Sequence, residues 1–386
     1  MKAAIGLEAL DRGLDGGLQR PSSFLLSSEV MAEKRSFAEQ FIATGLRAGE
    51  TCLYLDLYGS PRLARHKFAR FGDLPLEHLV VASLGPSSDG SFDEALSKSV
   101  PGTAEILERV EALLVDRQPT RVILDSLDLL AEELPKPAFD AFLRDFTDLL
   151  KTSGAVAGLL FVESSYGNGG TPEVLERSEY RFEFRSALRE GALIHKLRLS
   201  PSGQNRLATR WIPFVFREGR GLVLHFPRVL VAGPSGSGVS TVVRKLSQSP
   251  SRAERRQGPA AFDYGHAEGA GWEAELVGTP GKKRFAFLLP VLMRGTQGLL
   301  LVIDSTRPGK LDDTIALREM VGKKVPTVVV ANKADLEGAM TMVQIREGLD
   351  LEDEIPIAEA SASKGHGLQE ALEQLIDVMI WGWAAA

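Results

Sequence analysis

Two doubly wound α/β domains in tandem are what this sequence predicts, and three observations predict it. Apolar strand-like runs alternate with amphipathic stretches along most of the 386 residues, the pattern of largely parallel sheets with helices on both faces. That length, with 44% hydrophobic and 25% charged residues, suits two or three soluble domains with substantial cores. At mid-chain, the apolar run Arg228-Val229-Leu230-Val231-Ala232 feeds Gly233-Pro234-Ser235-Gly236-Ser237-Gly238-Val239-Ser240-Thr241, and a helix-like run follows from Thr241 to Ser247. The spacing from Gly233 to Gly238 is that of a phosphate-cradling loop. Glycines let successive N–H groups turn toward one anion, and the helix N-terminus adds its dipole. The motif asks for Lys after Gly238, and this chain has Val239.

The first domain, residues 1–225, opens on a segment rich in Gly, Leu and Asp, Ile5 to Gln19. A strand-like run covers Ser23 to Ser27, then a helical stretch Phe37 to Leu46. Thr51 to Leu57 reads as a strand, Pro61 to Phe71 as a helix and Leu79 to Ala82 as a short strand. Ala104 to Asp116 has helical periodicity. Arg121-Val122-Ile123-Leu124-Asp125-Ser126 is a strand ending in an acid, Phe139 to Lys151 a helix, and Ala155 to Phe161 a buried strand. From Tyr180 to Leu224 the pattern changes to short alternating strands, an antiparallel edge.

The opening Leu10-Asp11-Arg12-Gly13-Leu14-Asp15-Gly16-Gly17, the strand Gly49-Glu50-Thr51-Cys52-Leu53-Tyr54 and the strand ending Asp125-Ser126 resemble the RecA-type, KaiC-like ATPases over roughly residues 1–225. The resemblance implies a P-loop at Ser27 to Ser36. Lys34 is retained there, but Ser28 and Glu33 stand for the two framing glycines and Arg35 for the metal-binding hydroxyl. Glu29 and Glu33 put carboxylates where phosphate would sit, and like charges repel. The family's catalytic glutamate would align near Tyr58-Gly59. Asp125 matches the Walker-B acid, or is simply a polar residue at a strand end. The domain is then either a working ATPase or a retained fold without ATP turnover, used for packing or partner contact; the substitutions favour the second.

The second domain, residues 226–386, follows the turn Arg217-Glu218-Gly219-Arg220-Gly221. The join lacks a Gly/Ser or Pro-rich linker, which implies docked rather than freely tethered domains. Gln248 to Gly258 is a polar loop whose arginines face either solvent or a phosphate. Beyond the glycine loop, strands are expected at Trp272–Val277, Gly298–Asp304, Thr327–Ala331 and Ile355–Glu359. Helices are expected at Phe285–Met293, Asp312–Val321, Thr341–Leu349 and Leu368–Met379. Ligand belongs outside the strand C-termini of such a sheet. The last helix repeats apolar residues at Leu368, Ala371, Leu372, Leu375, Ile376 and Met379 and ends Trp381-Gly382-Trp383; packing on the sheet explains it more simply than a membrane or a partner.

Three more short stretches follow strands in a consistent order: Gly278-Thr279-Pro280-Gly281, Asn332-Lys333-Ala334-Asp335 and Ser361-Ala362-Ser363. With the glycine loop they resemble a Ras-like small GTPase over residues 226–386. The runs Phe262-Asp263-Tyr264-Gly265 and Val302-Ile303-Asp304-Ser305-Thr306-Arg307-Pro308 are most similar to its prokaryotic, MglA-like branch. The resemblance implies that Asp335 accepts hydrogen bonds from guanine N1–H and the exocyclic amine. Adenine lacks that donor pair, and a buried unpaired partner costs about 1–3 kcal/mol. It implies that Asn332 braces the glycine loop, the stem of Lys333 covers the base, and the Ala362 N–H, beside Ser361, addresses the guanine oxygen. Gly233, Ser235, Gly236, Ser237, Gly238, Ser240 and Thr241 would hold the phosphates, with Gly281 as a flexible switch. Ser240 and Asp263 are the candidate metal residues, Asp263 replacing the acid that Gly278 displaces. Three expected groups are absent: Val239 replaces the phosphate lysine, Lys282 replaces the water-orienting glutamine, and Gly258-Pro259-Ala260-Ala261 offers no switch threonine.

Composition narrows the classes further. A net charge of −6 disfavours a nucleic-acid partner. The single cysteine, Cys52, excludes an internal disulfide framework and a Cys-based zinc site, and six scattered histidines show no metal-ligand spacing. No apolar run nears the ~18 residues of a membrane span, and no signal peptide is evident, so a cytoplasmic location is expected. The expected ligand is GTP or GDP, with Mg2+ as the candidate accompanying ion. The expected function is a regulatory or scaffolding pseudoenzyme acting through a protein partner or self-association. The rivals are a slow GTPase whose missing groups come from elsewhere, and an ATP-driven RecA-type motor.

Overall fold

The computed structural model describes residues 1–28, 31–57, 66, 68–84, 102–162, 172–189, 192–203, 205–247, 263–279 and 293–382. The chain divides into two compact units, Met1–Val223 and Leu224–Ala386. Most of the expected Pro61–Phe71 helix, the Phe285–Met293 helix except Met293, the Gln248–Gly258 loop and Trp383 lie outside the described residues.

The first unit contains β1 (Lys2–Ala3), α1 (Glu8–Gly13), β2 (Leu18–Gln19), β3 (Ser22–Ser27), α2 (Met31–Arg47), β4 (Cys52–Asp56) and β5 (Leu79–Ser83). It continues with α3 (Thr103–Arg117), β6 (Arg121–Asp125), α4 (Asp128–Glu133), α5 (Lys136–Thr152), β7 (Val156–Phe161), α6 (Glu173–Glu176), β8 (Tyr180–Arg189), β9 (Ala192–Ser200) and β10 (Ile212–Arg217). Its sheet runs β10-β9-β8-β3-β7-β6-β4-β5. Neighbours from β8 to β5 are parallel, whereas β8-β9-β10 are antiparallel, the expected change of pattern.

Side chains alternate across the sheet because the strand period is two. Leu25, Leu53, Leu55, Leu124 and Leu159 meet Ile106 and Val110 of α3 and Phe139, Phe142 and Phe146 of α5 in one core. On β3, Phe24 instead joins Phe41 of α2, with centroids 5.0 Å apart, while Phe37 meets Phe182 of β8 at 4.8 Å. The glycine-rich opening is structural. Asp11 accepts the N–H of Ile5 at 2.7 Å and of Gly6 at 3.0 Å, and Gly17, at φ 120°, abuts the Ala3 backbone with no room for a Cβ.

From the first unit β11 (Gly221–Ala232) leads into the second, which adds α7 (Val239–Leu246), β12 (Tyr264–Gly269), β13 (Trp272–Gly278), β14 (Gly298–Asp304), α8 (Leu311–Val321), β15 (Thr327–Asn332), α9 (Met342–Gly348), β16 (Ile357–Ala360) and α10 (Leu368–Trp381). The order in this unit is β16-β15-β14-β11-β13-β12, parallel except where β12 runs antiparallel to β13. β12 is absent from the sequence reading. Tyr264-Gly265-His266-Ala267-Glu268-Gly269 carries a glycine near each end and little apolar alternation, and pairing to β13 is what makes it a strand. α10 packs on the sheet: Leu368, Leu372, Leu375, Ile376 and Met379 are buried, and Gly298 on β14 makes room for Met379 and Leu375.

Candidate functional site

In the second unit the loops after β11, β15 and β16 converge, as expected at the C-terminal ends of parallel strands. The Gly233–Gly238 loop is shaped by its glycines. A Cβ at Gly233 would strike the Val302 carbonyl and one at Gly238 would strike Asn332 Nδ2, while Gly236 and Gly238 have φ of 88° and 108°. α7 starts at Val239. Ser235 and Ser240 are exposed, Thr241 is half-buried, and Ser237 is buried.

Asn332 ties the three loops together. Its Nδ2 donates to the Ser237 carbonyl at 2.7 Å, and its Oδ1 accepts the Ala362 N–H at 2.8 Å. The expected brace is therefore present, and the Ala362 N–H expected to address a base is occupied by that brace. Lys333, at φ 64°, donates from Nζ to the Gly236 carbonyl at 3.0 Å and pairs with Asp304. Burial works to raise the Asp304 pKa, but hydrogen bonds from Lys333 and Thr306 outweigh it and hold the carboxyl below its usual range. Asp335 pairs with Lys364 Nζ at 2.9 Å. Hydrogen bonds from Lys364 and from Ser361 lower its pKa, so the carboxylate stays ionised.

The phosphate end is apolar where a cation is expected. Val239 is 7% exposed, and its Cγ1 lies 3.3 Å from the point a Cβ on Gly278 would occupy. Asp263 adjoins the same glycine: its carbonyl accepts the Gly278 N–H at 2.8 Å, and its Cβ lies 3.0 Å from that same point. Asp263 is thus next to the position where the usual acid is missing. Gly281 and Lys282 lie outside the described residues. Asp304, Arg307 and Lys364 were not among the sequence-derived site residues; the available signals were an acid closing a buried strand and a lysine directly after Ser361-Ala362-Ser363.

In the first unit the expected phosphate loop is filled from within. Lys34 is fully buried, and its Nζ donates to the carbonyls of Phe161 at 2.8 Å and Ser28 at 3.2 Å. Burial pushes its pKa down to about 8, against the opposing pull of Asp128 and Asp125. Arg35 Nε reaches both Asp125 oxygens, at 3.0 and 2.8 Å, and Tyr54 donates its O–H to the second at 2.6 Å. Glu33 departs from the expectation that it faces a phosphate. It is buried and engaged by Ser28 Oγ at 2.8 Å, His195 Nδ1 at 2.8 Å and Ser186 Oγ, because β8 and β9 supply polar partners that a charge in the cradle would lack. Glu29, Tyr58 and Gly59 lie outside the described residues. Among the described residues no group of three or more His, Cys, Asp or Glu could hold a metal ion, and no helix is long and apolar enough to cross a membrane.

Comparison with known proteins matches each half separately. The family model described as ATPase: KaiC covers residues 3–198, and that of the ADP-ribosylation factor (Arf) family covers residues 224–379. The second match is to the Arf branch of the Ras superfamily, not specifically to the MglA-like branch. The uncharacterized protein MJ1339 of Methanocaldococcus jannaschii is 29% identical over 109 residues, 28% of this chain and 71% of that protein. The solved structure of the KaiC-like protein PH0186 from the hyperthermophilic archaeon Pyrococcus horikoshii OT3 aligns with a TM-score of 0.48 at 17% identity, covering 58% of this chain and 98% of that one.

Proposed function

The chain belongs to the KaiC family of ATPases, with a Ras-superfamily P-loop domain of the Arf type behind its KaiC-like one, and on that premise we propose an atypical guanine-nucleotide-binding protein. It hydrolyses GTP weakly or not at all and acts as a regulator or scaffold through a protein partner or self-association. The observation that carries this reading is the Asn332 brace, with Nδ2 on the Ser237 carbonyl and Oδ1 on the Ala362 N–H. It joins the phosphate loop to the base-reading loop, a cross-tie of little use in a fold kept only for packing. The open backbone at Gly236 and Gly238 and the exposed hydroxyl of Ser240 fit a diphosphate and an accompanying Mg2+. Asp335 fits guanine, whose two donors face a carboxylate that stays charged.

The KaiC-like unit supports the same reading from the other side. Lys34 is spent on two carbonyls and Arg35 on the Walker-B acid, so this unit is a folded partner domain without ATP turnover. A slow GTPase is the second reading. The proximity of Asp263 to Gly278 favours it, since this carboxylate would stand in for the metal-serving acid that Gly278 displaces. Isothermal titration of the full chain with GDP, GTP and ATP tests the proposal. Guanine nucleotides should bind and ATP should bind at least tenfold more weakly. Equal affinity for ATP and GTP would sink the base assignment, and ATP turnover abolished by Lys34→Ala would sink the reading of the first unit.

A further inference from the structure

Val239 leaves the phosphate loop of the second unit without the cation its spacing asks for, yet two cations flank that loop. Lys333 Nζ donates to the Gly236 carbonyl at 3.0 Å. Arg307 Nη1 lies 3.5 Å from the point a Cβ on Gly236 would occupy. One carboxylate anchors both: Asp304, 5% exposed, pairs with Lys333 Nζ and with Arg307 Nε at 3.4 Å. The other Asp304 oxygen, Oδ1, accepts the Thr306 N–H at 3.1 Å and its O–H at 2.7 Å, which fixes the backbone that launches Arg307.

A single carboxylate neutralises one of the two cations and leaves a net positive charge beside the loop. Lys333 is the spent one, held by both the ion pair and the carbonyl. Arg307 is tethered only through Nε, its side chain is 60% exposed, and among the described residues no acceptor holds its terminal nitrogens. A guanidinium drawn toward a carboxylate at one nitrogen, with its terminal fork free, is suited to gripping an oxyanion with two parallel hydrogen bonds.

We propose that Arg307 is the relocated phosphate cation of this site: its Nη groups take the diphosphate of a nucleoside di- or triphosphate from the Gly236 side of the loop, in place of the ammonium that Val239 lacks. The inference rests on the reading of this loop as a guanine-nucleotide site and adds the side chain that supplies the charge. Gly236 has its own part in it. With a φ of 88° and no Cβ, it leaves the approach from Arg307 to the loop clear.

Titrating the full chain with GDP and with guanosine, for wild type, Arg307→Ala and Arg307→Lys, tests this, with thermal melts as the folding control. Arg307→Ala should weaken GDP binding tenfold or more and leave guanosine within twofold. Arg307→Lys should fall between, because an ammonium keeps the charge and loses the fork. GDP affinity unchanged by Arg307→Ala, in a wild type that binds GDP and loses it with Asp335→Asn, overturns the inference alone. Equal losses for GDP and guanosine also overturn it, since Arg307 would then act on the base or the loop shape. A wild type that binds no GDP overturns the reading of the site, and the inference with it.

Discussion

Arg35 closes the carboxylate of Asp125 from within the chain, its Nε 3.0 and 2.8 Å from the two oxygens. The place that the family resemblance gives to a hydroxyl and its metal ion is thus held by a guanidinium. Burial opposes the charge on Arg35, but Asp125 more than offsets it and raises the Arg35 pKa. Asp125 itself is fully buried.

Removing Arg35 should therefore be costly. Arg35→Ala leaves a buried carboxylate with Tyr54 as its remaining hydrogen-bond donor of the pair, and should destabilise the chain by about 2–3 kcal/mol in urea unfolding. That lies below the range for a fully buried broken pair because the arginine is partly exposed. Adding Asp125→Asn should recover part of the loss, since the uncompensated charge goes with it. A double variant as unstable as the two single changes summed would show that the two residues do not act on each other.

Lys34 predicts a pH dependence. Its pKa is lowered from 10.5 to about 8, so the folded state gives up this proton while the unfolded chain still holds it. Stability from this group is complete above pH 10.5 and is lost as pH falls through 8. Between pH 7 and pH 10 the wild type should gain about 2 kcal/mol relative to Lys34→Met. Parallel urea titrations at the two pH values measure it, and a constant difference between the two proteins would contradict the burial of a charged Lys34.

Strand and helix positions were legible where apolar period and flanking glycines agreed. Gly298–Asp304 appears in the structure with the expected bounds, and α5 and α8 differ from expectation only at their ends. β12 was not legible because its strand character comes from β13 and not from its own side chains. The candidate site was legible as a set of loops, since each motif follows a strand in order. The partners inside it were not. That Lys333 reaches Asp304, that Lys364 holds Asp335, and that Glu33 turns toward His195 all depend on side chains far apart in sequence meeting in the fold. Residue spacing within one motif carries no information about them.

Base choice should rest on Asp335. Asp335→Asn should weaken GDP binding by tenfold or more and shift preference toward xanthosine diphosphate, whose ring offers an acceptor where guanine has the amine. Lys364 competes for the same carboxylate, but a solvent-exposed ion pair of this kind is a weak competitor. Lys364→Ala should accordingly tighten GDP binding by no more than about fivefold. Titrations of the full chain with both diphosphates decide it, and a Lys364→Ala protein that binds GDP more weakly would mean that the lysine contacts the nucleotide rather than competing with it.

The two cationic positions at the phosphate loop should prove interchangeable. Val239 is packed beside Gly278, so Val239→Lys must carry its side chain out of an apolar contact, at a cost of about 1 kcal/mol in stability. Its gain in binding depends on what Arg307 already supplies. With Arg307 present, a second cation meets a like charge, and GDP should tighten less than tenfold. In the Arg307→Ala background the new ammonium faces an uncompensated diphosphate, and the gain should approach 1.5–3 kcal/mol, the scale of one charged hydrogen bond and roughly ten- to a hundredfold in affinity. Hydrolysis should stay slow in every variant, because Lys282 stands in sequence where the water-orienting glutamine belongs. A four-variant cycle of GDP titrations reads the coupling directly. If Val239→Lys gains the same factor in both backgrounds, the two side chains act independently, and Arg307 is not the substitute for the missing lysine.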